Sequence, residues 1–237
     1  MELSINQRRH RRFPFAIPLV CQASSHKERI DVGVTRNVSM GGALLDVPSP
    51  IPVWTPVKLR LLTGERVLRA HAVVVWSRQV GMGFYLGIAF TRFAPGDSVC
   101  WHKLVHYQTG PNARASVRIP VNVAVECGPG GEVGPAVPGQ IGNIGEKGLL
   151  VWLPQRIPVR TELRFEFPGE KDSPSVTGEI AWVGASGHSA SVPHGVQFCA
   201  EALKRDLFIT AVLLGEFLRR TSSEDPVVDS LKFLSFH

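Results

Sequence analysis

Short apolar runs rich in Val, Ile, Leu and Phe alternate along this chain with clusters of Gly, Pro, Ser and Asp. Runs of this length, bounded by turn-forming residues, predict antiparallel β-strands rather than helices. In the first part of the chain, strands are expected to begin near Ile17, Ile30, Ala43, Val57, Val67 and Leu86. The longest runs from Arg69 to Trp76. Six strands in about 90 residues, with no long helix between them, predict a closed or nearly closed barrel, and closure also removes exposed edges. A short helix should follow, with Asp97-Ser98 as its N-terminal cap and Val99 to Tyr107 as its body.

The same pattern then comes a second time. Arg8-x-x-x-Arg12 recurs as Arg114-x-x-x-Arg118, an offset of 106 residues. At that offset Cys21 matches Cys127, Asn37-x-Ser39-x-x-Gly42 matches Asn143-x-Gly145-x-x-Gly148, and Trp76 matches Trp182. Ile51-Pro52-Val53-x-Thr55 likewise returns as Ile157-Pro158-Val159-x-Thr161. Gly87-x-x-Phe90 returns as Gly195-x-x-Phe198 at an offset of 108, as one small loop insertion would give. A period this long is a domain duplication, because solenoid units run roughly 20 to 50 residues. The expected fold is all-β, with two consecutive six-stranded antiparallel barrels, each followed by a helix. The expected boundaries are 1–108, 112–221 and a tail at 222–237.

Leu203, Leu207, Ala211, Leu214 and Leu218 place the second helix, with Arg219-Arg220 suited to its C-terminal end. Gln108 to Asn112 reads as the linker, and Gly128 to Gly139 as a hairpin connection rather than a phosphate cradle, since no lysine or helix start follows it. The tail ends in Leu231-Lys-Phe-Leu-Ser-Phe236, an apolar segment that packs on its own barrel or docks on a partner.

The net charge of +6 fits an anionic partner without choosing among nucleic acid, nucleotide and membrane surface. Cys21, Cys100, Cys127 and Cys199 form no CxxC pair, so they read as small core residues in a reducing compartment, with no metal site. The basic stretch before Phe13 to Val20 imitates a signal peptide, but its counterpart, Ile119 to Glu126, lies mid-chain and alternates like a strand. No run approaches the roughly 18 apolar residues of a membrane span. A soluble, cytoplasmic protein is expected.

Two elements carry chemistry. Arg8, Arg9, Arg11 and Arg12 precede the first strand. Guanidinium groups fork onto phosphates or guanine edges and stack on flat rings. Asn37-Val38-Ser39-Met40-Gly41-Gly42 lies at a strand junction, where short polar groups and glycines permit close approach of a ligand. An RxxxR arm followed by (D/N)xSxxG resembles the PilZ domain, a family that binds cyclic di-GMP. The later Val-Val-Trp76-Ser-Arg and Gly87-Ile-Ala-Phe90 are similar to the family's closing strands, and the likeness covers nearly the whole chain as two copies.

The resemblance implies a cyclic di-GMP receptor with no catalytic residues and no cofactor. It implies that Arg8 and Arg12 clamp the guanines and phosphates, with Arg9 as a further contact. It places Asn37, Ser39, Gly41 and Gly42 opposite the arm. Trp76 is either a stacking surface or a core aromatic. Its return as Trp182, in a copy whose motif is altered, favours the core. The second copy keeps Arg114, Arg118, Asn143 and Gly148, but Gly145 replaces serine and Glu146 adds a negative charge, so weak or no binding is expected there. Because Arg114 follows the linker at once, an anion held there would also bear on the hinge.

Competing readings differ in class. An enzyme lacks support, since no HExxH or GxSxG is present. A nucleic-acid binder would interleave aromatics with basic residues on neighbouring strands, whereas aromatics are 8% of this chain and sit mostly in apolar positions. A PilZ-like scaffold working through protein contacts remains the third reading. Its protein target would dock on the second domain or on the C-terminal helix and tail.

Overall fold

The computed structural model describes residues 10–24, 30–64, 66–108, 116–130, 135–167, 175–185, 191–199 and 209. The first unit, Met1–Val117, contains β1 (Pro18–Ala23), β2 (Ile30–Ser39), β3 (Gly42–Val47), β4 (Pro56–Leu62), β5 (Val67–Val80), β6 (Gly83–Phe93) and α1 (Asp97–Tyr107). Its strands close in the order β1-β2-β3-β6-β5-β4, every pairing antiparallel. Alternation along β4 and β5 sends Val57, Leu59, Leu61, Leu68, Ala70 and Ala72 inward, where each is at most 2% exposed. The intervening Lys58, Arg69 and His71 face outward.

The second unit, Arg118–His237, repeats this arrangement with β7 (Arg118–Pro129), β8 (Val137–Gly145), β9 (Gly148–Leu153), β10 (Glu162–Glu166), β11 (Ser175–Val183) and β12 (Val192–Phe198). They close as β10-β11-β12-β9-β8-β7 around Ile141, Val151, Phe165 and Ile180. The Gly128–Gly139 stretch links β7 to its hairpin partner β8. Among the described residues the only helix is α1, after the first barrel. The helix expected on Leu203 to Leu218, and the tail to Phe236, lie outside the described residues, except that Ile209 is buried in the second core.

Two local expectations are corrected. Helix α1 begins at Asp97, and the position before it is Gly96 at φ 81°, with no side-chain cap. Asp97 is instead 3% exposed; it accepts from Arg66 Nη2 at 2.7 Å and from the Arg69 backbone N–H at 2.9 Å. The buried carboxylate thus clips the helix start to β5 rather than to the helix's own first turn.

Trp101 of α1 is fully buried. It meets Phe90 edge-on at 5.0 Å and lies 5.8 Å from Phe93, while its Nε1 donates to the Ser39 carbonyl at 3.2 Å. Trp76, by contrast, is 37% exposed and Trp182 49% exposed, which removes the expectation of a core role. A register shift between Val74 and Trp76 turns the indole outward, and it lies against Gly87, where a Cβ would fall 2.0 Å from Trp76 Nε1. Trp182 sits on Gly195 in the same way after the corresponding shift. Cys21 and Cys127 are buried free thiols, each with its pKa pushed up to about 12, by burial and, for Cys21, also by Asp31.

Candidate functional site

The chain ahead of β1 does not leave the first barrel but lies along β2. Phe13 N–H donates to the Val38 carbonyl at 2.8 Å, and Val38 N–H returns a bond to the Phe13 carbonyl at 2.9 Å. Further on, Ile17 N–H donates to Thr35 Oγ1 at 2.9 Å, and Thr35 Oγ1 donates to the Phe15 carbonyl at 2.6 Å. Thr35 is fully buried, so these bonds fix the track of residues 13 to 17.

This antiparallel lie sets the neighbours of the arginine arm. With Phe13 opposite Val38, Arg12 falls abreast of Ser39 and His10 abreast of Gly41. His10 indeed stands over that turn, since a Cβ on Gly41 would lie 3.1 Å from His10 Cδ2. Arg12 is exposed, and the Arg11 guanidinium lies 5.2 Å from the Phe13 ring centre. Arg8 and Arg9 precede the described residues. The structure therefore brings Arg12 to the Asn37–Gly42 corner.

At that corner Ser39 is 6% exposed, and its hydroxyl donates to the Gly42 carbonyl at 3.1 Å. The serine closes the β2–β3 turn on itself. Gly42 has no room for a side chain, because a Cβ would sit 2.2 Å from the Ile88 carbonyl oxygen of β6. Asn37 follows a register shift in β2, and its Oδ1 is the buried side-chain polar atom left without a hydrogen-bond partner among the described residues. Leaving a buried acceptor unpaired costs about 1–3 kcal/mol, so such an atom marks a place where a donor is missing. Beside it Arg36 donates through Nε and Nη2 to Asp46 Oδ2, at 2.9 and 2.6 Å. That ion pair gave no signal in the sequence, where the two residues stand ten positions apart on adjacent strands.

The second barrel lays down its arm in the same register. Arg118 pairs with Gly145 and Pro120 with Asn143. Gly148 is again hemmed in, a Cβ falling 2.0 Å from the Val196 carbonyl oxygen. Arg114 lies outside the described residues, while Arg118 is exposed. With Gly145 there is no hydroxyl to hold the turn. At the positions of Arg36 and Asp46 stand Gly142 and Trp152, the indole lying over the glycine. The two corners thus share a backbone and differ in their polar groups. Elsewhere in this barrel His194 is fully buried, accepting from Ile157 N–H at 3.0 Å and donating from Nδ1 to the Val192 carbonyl at 2.9 Å. Burial holds its pKa below the ordinary imidazole value.

No group of His, Cys, Asp and Glu able to hold a metal occurs among the described residues. No described helix is long and apolar enough to cross a membrane.

Two closed barrels, each with a leading arm paired to its second strand and a glycine-tight corner beside that arm, define a tandem β-barrel protein built from a duplicated domain. The PilZ domain model matches residues 6–107 and again 112–208, and the chain belongs to that family, with two consecutive PilZ domains. PilZ domains are non-catalytic modules. Among solved structures, the chain is similar to the Borreliella burgdorferi PlzA protein in complex with c-di-GMP, at 15% identity and a TM-score of 0.34, covering 81% of this chain and 86% of that one. It is similar to the K. pneumonia MrkH–c-di-GMP complex, at 10% identity and a TM-score of 0.38, covering 86% and 88%. It is also similar to YcgR in complex with c-di-GMP from Escherichia coli, at 10% identity and a TM-score of 0.32, covering 87% and 88%. No curated protein matches the chain by sequence.

Proposed function

We propose that this protein is a cyclic di-GMP receptor whose first PilZ domain is the sensor and whose second is a degenerate partner or output module. The observation that carries the reading is the meeting of Arg12 with the Ser39 corner, beside a buried Asn37 Oδ1 that lacks a donor. A guanine edge carries N–H donors for such an acceptor, and the dinucleotide's two phosphates suit the guanidiniums of Arg8, Arg9 and Arg12. Ser39 acts by holding the turn shut, Gly42 by letting β3 approach β6, and Gly41 by leaving room for His10 over the turn. Trp76, half-exposed on its glycine shelf, offers a flat face for stacking.

The second corner keeps the track of Arg118 and Asn143 with Gly148 but lacks the serine hydroxyl and the Arg36–Asp46 pair. This supports a module retained for its shape, offering a surface for a protein target. Isothermal titration of the full chain with cyclic di-GMP tests the reading. One saturating site is expected. Arg12→Ala should weaken it by about tenfold or more, as losing a charge-assisted bond of about 1.5–3 kcal/mol requires, while Arg118→Ala should leave it unchanged. Equal losses from the two variants would reverse the assignment of roles.

A further inference from the structure

Away from the arm, the outer face of the first barrel carries a concentration of positive charge. Lys58 and Arg60 of β4, Arg69 and His71 of β5 and Arg92 of β6 line a cleft of about 570 Å³, with Ser98 of α1 at its edge. Strand register sets their spacing. Lys58 pairs with His71 and His71 with Arg92, so these three form a row across three strands; Arg60 and Arg69 form a second row. Adjacent strands lie about 4.8 Å apart and alternate residues about 6.7 Å apart, so the two rows cover a patch of about 10 by 7 Å.

Arg60 and Arg69 stand directly opposite each other, and like charges so placed on a sheet are destabilising. Asp97, at the start of α1, is 3% exposed and is held by Arg66 Nη2 and the Arg69 backbone N–H. Arg92 Nη2 lies 3.3 Å from His71 Nε2, a contact that orients the guanidinium within the row.

The duplication supplies a control. Positions equivalent to Lys58, Arg60, Arg69 and His71 hold Arg164, Glu166, Ser175 and Thr177, with the same pairings. There Arg164 is bridged to Glu166 at 3.1 Å, and no cluster of cations forms. The fold therefore does not require the charge, which belongs to the first barrel alone.

We infer that the β4–β5–β6 face of the first barrel is a second anion site, separate from the arm and corner, that takes a small ligand carrying two or more phosphates. A single phosphate is too small to meet cations spread over about 10 Å, whereas a chain of phosphates spans the row. A cleft of about 570 Å³, open on one side, fits a small molecule better than an extended polymer.

Tripolyphosphate serves as the probe, titrated into the full-length protein by calorimetry, with inorganic phosphate in parallel. Tripolyphosphate should saturate one site and bind at least about tenfold more tightly than phosphate. Arg69→Ala and Arg92→Ala should each weaken it by about tenfold. Arg164→Ala, on the second barrel, and Arg12→Ala, on the arm, should have no effect, and loss in Arg12→Ala would assign the anion to the arm instead. These side chains point to solvent, so the variants should keep the parent thermal midpoint; Lys58→Ala gives an independent reading should either arginine variant not fold. Unchanged affinity in the Arg69/Arg92 double variant would overturn the inference. So would affinity that appears only with single-stranded oligonucleotides and grows with their length, which would make the face a nucleic-acid track.

Discussion

Phe13 and Val38 exchange both of their backbone hydrogen bonds, at 2.8 and 2.9 Å. That reciprocal pair, joining a residue ahead of β1 to one within β2, sets Arg12 beside Ser39. Proline at position 13 removes the donor for the Val38 carbonyl. Phe13→Pro should therefore lower cyclic di-GMP affinity by about tenfold, with Arg12 still in place, and leave barrel melting nearly unchanged. Phe13→Ala keeps both bonds and should bind much more nearly like the parent. Calorimetric titration of the two variants makes the comparison.

Gly42 and Gly148 each lie against a carbonyl of the facing strand, where a Cβ would fall 2.2 and 2.0 Å from oxygen. Backbone on both sides leaves little room to give. Gly42→Ala and Gly148→Ala should each destabilise their own barrel by about 1–3 kcal/mol, through forced separation of β3 from β6 or β9 from β12. Urea denaturation curves measure this, and a loss below about 0.5 kcal/mol would show that the strands part freely.

Thr35 Oγ1 serves two buried backbone groups, accepting from Ile17 N–H and donating to the Phe15 carbonyl. Thr35→Val preserves shape but strands both. The expected loss is about 2–4 kcal/mol in the first barrel, since each orphaned buried group costs about 1–3 kcal/mol and some relaxation is available. Chemical denaturation against the parent checks the size.

His194 is buried neutral, and its pKa in the fold lies below the ordinary 6.5. The unfolded chain therefore binds the proton first as pH falls through about 6.5, and the second barrel loses stability by up to about 1.4 kcal/mol per pH unit until the folded-state value is reached. Above pH 6.5 this residue adds no slope. The first barrel has Leu86 at the equivalent position. In His194→Leu the acid-side slope should flatten, even though Ile157 N–H loses its acceptor and overall stability drops. Melting temperature followed from pH 8 to pH 5 separates the two effects.

Much of this was legible in the chain because it depends on local pattern. Alternating apolar residues mark the strands, and the resemblance to the PilZ family groups Arg12, Asn37, Ser39 and Gly42 as one candidate site. What escaped notice depends on partners distant in sequence. Asp97 looks like a helix cap, yet it is claimed by Arg66 and Arg69, about thirty residues earlier. Trp76 looks like core because it returns as Trp182 in the altered copy, but one register shift turns it outward onto Gly87. The hydroxyl of Ser39 also closes its own turn by donating to the Gly42 carbonyl, a bond that the motif alone does not announce. The basic face is scattered over positions 58 to 92 and assembles only once β4, β5 and β6 are in register.

The track of the leading arm rests on main-chain groups and on one buried threonine, not on the side chains that meet solvent. Side chains at positions 10 to 12 can therefore change without dislodging the segment. Such a rail lets recognition be rewritten one residue at a time on an unaltered frame. Duplicated within a single polypeptide, it allows one copy to keep its original specificity while the other drifts toward a new task.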